Sequence, residues 1–112
     1  MTERAHGVAV RGTGRVELAA YGLADAEHQV EKELHALWPG AAVEVVDVAR
    51  LDERPRIVEE FRVRYRLRVS VPVPADAVDD ARRGALRRLR ERFTGSRFER
   101  VEWEVEPEAR SP

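Results

Sequence analysis

Between Ile57 and Val73 the large apolar residues, Phe61, Val63, Tyr65, Leu67, Val69, Val71 and Val73, all hold odd positions. Glu60, Arg62, Arg64, Arg66, Arg68 and Ser70 hold the even ones. Successive side chains of a strand point to opposite faces. This segment is therefore expected to be a long strand with one apolar and one arginine-rich face, because a helix would scatter both sets around its circumference. Pro72 and Pro74 mark its end, since proline cannot donate to a sheet ladder. Such a strand needs a layer of other elements over its apolar side.

The rest of the chain supplies that layer. Val8 to Tyr21 reads as a strand in which Val16, Leu18 and Ala20 alternate with Arg15, Glu17, Ala19 and Tyr21. It is interrupted at Gly12-Thr13-Gly14, where a turn or bulge is expected. Leu23 to Trp38 is expected to be a helix, with Leu23, Ala26, Val30, Leu34, Leu37 and Trp38 at spacings of three and four. Asp25 and Glu27 suit its positive end, and Pro39-Gly40 stops it. Ala42 to Ala49 is a valine-rich strand, followed by a charged turn over 50–56. Asp76 to Phe93 reads as a second helix, opened by Asp76, Asp79 and Asp80 and closed by arginines before Gly95. Phe98 to Val105 reads as the last strand, with Val101, Trp103 and Val105 on one face and Arg100, Glu102 and Glu104 on the other. Residues 1–7 and 107–112 are expected to fray.

The order is thus βαββαβ, and Ala24-Asp25-Ala26 is echoed by Ala75-Asp76-Ala77 at the second helix. Right-handed crossovers favour an α+β, ferredoxin-like sandwich over 1–112: a four-stranded antiparallel sheet in the order 4-1-3-2, with both helices on one face. At 112 residues, of which 43% are hydrophobic, a single domain is expected.

Charge narrows the function. Twenty basic residues nearly cancel 21 acidic ones, for a net charge of −1. The whole molecule therefore exerts no strong pull on nucleic acid or anionic membrane. All but one of the basic residues are arginine, the exception being Lys32. Cysteine is absent, which removes thiolate nucleophiles and cysteine-based metal sites. There is no apolar run of membrane-spanning length and no signal-like apolar stretch near the start, so a cytoplasmic protein is expected. His28, Glu31 and His35 share a helical face, but it is the polar one and no further ligand is nearby in sequence, so no metal site is expected. Arg11 to Arg15 lacks the third glycine and the following helix of a dinucleotide loop. The arginines at 82, 83, 87, 88, 90 and 92 of the second helix could grip phosphate, yet they also read as a solvated face. RNA-binding sheets stack bases on exposed aromatics, and only Tyr21 would offer one here.

The face of the sheet away from the helices holds the remaining chemistry. It is expected to carry Arg62, Arg64, Arg66, Arg68 and Tyr21 as ligand-binding residues, with Glu102 and Glu104 as the available proton carriers. Glu106 adjoins Pro107 and the fraying end, and Glu99 should point the other way. This face is either solvated and salt-bridged or used for dimerisation, ligand binding or catalysis.

The size, the βαββαβ order and the acidic strand Phe98-Glu99-Arg100-Val101-Glu102-Trp103-Glu104 together resemble thiopeptide-antibiotic tailoring proteins that form the C-terminal amide of nosiheptide-type peptides. That resemblance implies a ferredoxin-like homodimer, and the arginine row of the central strand makes the open sheet face the expected seam. It implies cofactor-free cleavage of a C-terminal dehydroalanine enamide, with Glu102 as the acid–base. The alternative is a non-catalytic dimerising module that binds a ligand or a protein.

Overall fold

The computed structural model describes residues 5–74 and 78–107. Its elements are β1 (Ala5–Ala20), α1 (Leu23–Leu37), β2 (Ala42–Arg50), β3 (Glu59–Pro74), α2 (Val78–Phe93) and β4 (Glu102–Val105). The fold is α+β: one open four-stranded antiparallel sheet and two helices. The strands lie in the order β2-β3-β1-β4, which read from the other edge is 4-1-3-2. Ala75-Asp76-Ala77, invoked above for the echo between the halves, lies outside the described residues, as do 1–4 and 108–112.

The alternation of β3 determines where the core sits. Phe61, Val63, Tyr65, Leu67, Val69, Val71 and Val73 are all buried, and the residues between them are not. Ala26, Val30 and Leu34 of α1 and Ala81, Ala85, Leu89 and Phe93 of α2 join them in one apolar cluster. Both helices therefore cover the same face, and the even residues of β3 line the open one. Asp25 opens α1 by accepting the Tyr21 backbone N–H at 3.0 Å, and this bond holds its carboxyl below the usual aspartate range. Gly40 and Gly95 adopt positive φ just after the two helices, the left-handed conformation that glycine adopts without a side-chain penalty.

Four sequence expectations need correction. First, β1 is not broken at Gly12-Thr13-Gly14. It pairs with β3 in unbroken register from Ala5 opposite Pro74 to Ala20 opposite Glu59, so residues 5–7 are strand rather than a loose start. The two glycines answer a packing need instead of a turn. A Cβ on Gly12 would meet the Trp103 ring at 2.7 Å, and one on Gly14 would meet the Tyr65 hydroxyl at 2.5 Å. Second, β4 begins at Glu102, not Phe98. The Val101 N–H bonds back to the Phe98 carbonyl at 3.2 Å, so the chain turns before it reaches the ladder. Third, Ile57 and Val58 precede β3 and are exposed. Fourth, β2 carries a bulge between Val45 and Asp47. The extra residue, Val46, shifts the alternation so that Val43, Val45 and Val48 all reach the core while Val46 stays outside.

Candidate functional site on the open sheet face

Across the open face, residues of β2, β3, β1 and β4 form rows. Arg62 stands opposite Glu17, and the two bond at 3.0 Å. Arg66 stands opposite Glu44 of β2, with a looser approach of 3.6 Å between two exposed side chains. Arg68 stands opposite Arg11, a like-charge pairing that is unfavourable by itself. Glu106 resolves it by accepting Arg11 Nε at 2.8 Å and the Arg68 guanidinium at 2.7 Å. These contacts hold the Glu106 carboxyl below the usual glutamate range, the Arg68 hydrogen bond first among them. In the sequence Glu106 adjoins Pro107 and the end expected to fray. Its backbone N–H instead extends the ladder to the Ala9 carbonyl at 2.9 Å.

Arg64 faces the same problem without the same remedy. It stands directly opposite Arg15, and neither makes an ion pair with any described residue. Asp47 is opposite Arg64 on the β2 side, yet no ion pair closes between them. Arg100, from the turn before β4, likewise makes none among the described residues. All three arginines line one open depression of about 880 Å³. Its wall also includes Glu17, Arg62 and Arg66, the bulged Val46, and Glu102. Two cations left facing each other across a pair of strands cost stability, roughly 0.2–1 kcal/mol by the scale of cross-strand pairs. An anion bound between them would reverse the sign.

Tyr65 reaches the same depression from beneath. Its ring belongs to the core, edge-on to Phe98 with centroids 5.4 Å apart. The space left by Gly14 holds its hydroxyl, and burial pushes the phenol up to about 12. The group is therefore a neutral hydrogen-bond donor at any ordinary pH. Parity alone assigned Tyr65 to the core. The signal that would have revealed its hydroxyl is a glycine at a core-facing position of the neighbouring strand.

Of the residues expected at the site, Arg62, Arg64, Arg66 and Glu102 come together in the depression. Arg68 lies beyond it, tied to Glu106. Glu104 stands opposite Arg11, outside the depression, and Glu99 lies in the turn before β4. Tyr21 is 75% exposed just past the end of β1, away from the arginines. Leu23, Leu51, Ile57 and Val58 are exposed at that same end of the sheet. Arg15, Arg100, Val46 and Tyr65 are wall residues that sequence reasoning did not select. No group of three or more metal-ligating side chains occurs among the described residues. Among the described residues no helix is long and apolar enough to cross a membrane. No family model, curated protein or solved structure matches this chain.

Proposed function

We propose that this chain is a small ferredoxin-like, cofactor-free tailoring enzyme, cytoplasmic and homodimeric. In this reading it forms a C-terminal amide on a peptide by acid–base cleavage of a terminal dehydroalanine. The observation that carries the reading is the unbridged opposition of Arg15 and Arg64, with Arg100 beside the same depression and Glu102 on its wall. A terminal carboxylate is the ligand this arrangement suits, because guanidinium groups bind carboxylates in bidentate geometry. The opposition of Arg11 and Arg68, by contrast, is neutralised within the chain by Glu106.

The reaction assigns each group a role. The arginines hold the carboxylate of the terminal dehydroalanine. Glu102, as the carboxylic acid, delivers a proton to the terminal CH2 carbon, and the nitrogen lone pair completes an acyliminium. The resulting Glu102 carboxylate removes a proton from water as the oxygen adds to the α-carbon. Proton transfer to nitrogen and loss of the α-hydroxyl proton then break the N–Cα bond. One water is consumed, and the products are the peptide primary amide and pyruvate. Oxidation states balance without a redox partner.

The test is direct. A synthetic peptide ending in dehydroalanine is incubated with the protein, and amide and pyruvate are quantified together. Equimolar release is expected, with Glu102→Gln slower by about 10²–10⁴-fold, the usual contribution of a general acid–base. Full activity of Glu102→Gln would reject its role. No pyruvate from the unmodified protein would reject the reaction.

A further inference from the structure

β1 is paired along its whole length with β3, but β4 covers it only from Val10 to Thr13. Beyond Thr13 the outer edge of β1 continues without a strand among the described residues. In an antiparallel ladder the N–H and C=O of one residue point to the same side, and alternate residues point to the same neighbour. The Ala9 carbonyl receives the Glu106 N–H from the β4 side. By alternation Arg15, Glu17 and Ala19 also present their backbone groups to that side. The Ala19 carbonyl is taken by the Gln29 side-chain amide at 3.2 Å. The backbone groups of Arg15 and Glu17 have no hydrogen-bond partner there among the described residues. The result is a notch in the sheet, bounded by β4 at one end and Gln29 at the other. Gly14, Arg15, Glu17, Arg100 and Glu102 border it, and all five also line the arginine depression.

We infer that an extended peptide fills this notch as an added strand, with its C-terminal carboxylate at the Arg15 end beside Glu102. The inference rests on the proposed function for the identity of the ligand and extends it to how the peptide is held. Direction follows from charge. A strand antiparallel to β1 continues the line of β4 and ends next to Arg15 and Arg100, which suits a carboxylate. A parallel strand would bring an ammonium group to those arginines. In the antiparallel arrangement the C-terminal residue exchanges hydrogen bonds with Arg15, and the third residue from the end exchanges them with Glu17. The second residue faces Val16, and its N–H points away from the edge.

This alternation gives a test that leaves the protein unaltered. The probes are acetylated tetraalanine with a free carboxylate, the same peptide as its C-terminal amide, and two versions of the free acid N-methylated at the second or third residue from the end. Affinities are measured by NMR titration of the full chain. Methylation at the third residue is expected to weaken binding about tenfold, since it removes an edge bond and leaves a backbone acceptor unmet. Methylation at the second residue is expected to leave affinity unchanged, and the amide is expected to bind more weakly than the acid. Equal effects at both positions, or no binding of the acid, would overturn strand addition. Binding with the predicted alternation, but without pyruvate from a dehydroalanine peptide, would leave strand addition standing and remove the enzymatic reading. Turnover insensitive to methylation at the third residue would do the reverse.

Discussion

Gly14→Ala probes the packing of the Tyr65 hydroxyl against the bare backbone of β1. Gly14 has no positive φ, so the backbone there accepts an alanine. The obstacle is space: the new Cβ would lie 2.5 Å from the Tyr65 hydroxyl oxygen and 2.8 Å from the ring carbon that bears it. Tyr65 is 2% exposed and held edge-on by Phe98, so the ring cannot simply swing into solvent. Overpacking of this kind costs roughly 1–3 kcal/mol. Replacing glycine inside a strand returns about 0.5–1 kcal/mol of backbone entropy. A net loss of about 1–2 kcal/mol is expected, or roughly 4–8 °C in Tm for a chain of this length. Tyr65→Phe removes the nearer obstacle, so thermal and urea unfolding of the two single variants and the double variant should show a coupling of at least about 0.5 kcal/mol. Gly84→Ala is the control: it lies within α2 with nothing within 4 Å of its added Cβ, and it should stabilise. A neutral Gly14→Ala, or the same cost with and without the tyrosine hydroxyl, would refute the packing account.

Other consequences follow from the same contacts. Trp103 is only partly buried but packs edge-on against Phe93 at 5.0 Å, so Trp103→Ala should cost about 3 kcal/mol in urea unfolding, and a loss under about 1 kcal/mol would contradict its place under α2. Glu106 has a lowered pKa in the folded state, so its contribution is complete above the ordinary glutamate value of 4.5 and is lost as pH falls through the folded value. Glu106→Gln should therefore flatten the acid limb of a stability–pH curve, and an unchanged limb would count against the Arg11–Glu106–Arg68 bridge. Light scattering should return about twice the chain mass of 12.8 kDa, with charge reversal at Arg64 or Arg66 weakening the dimer more than reversal at Arg87; a monomer at micromolar concentration would exclude a dimer through the open face.

Much of the fold was legible because period-two burial is written directly into β3, and the stripes of α1 and α2 match it. Several of the failures share one cause: residues whose role depends on a neighbour distant in sequence. Gly12 and Gly14 look like a turn locally, and only Trp103 and Tyr65 across the sheet explain them. Glu106 looks like a residue beside a fraying end until Arg11 and Arg68 close on it. Val46 looks like one more strand valine until the bulge turns it outward. The arginine row itself was visible, but its division into bridged and unbridged members was not. That division depends on register, which places Arg15 opposite Arg64 and gives Glu106 to the other pair.

In the proposed reading Arg15, Arg64 and Arg100 form an anion site for a terminal carboxylate. NMR of the arginine Nε–Hε groups, titrated with N-acetyl-dehydroalanine and with its methyl ester, would detect that site. Saturable shifts at Arg15, Arg64 and Arg100 with the acid are expected, with little response to the ester and none at the bridged Arg11 and Arg68. Equal responses to acid and ester, or shifts confined to the arginines of α2, would contradict the claim.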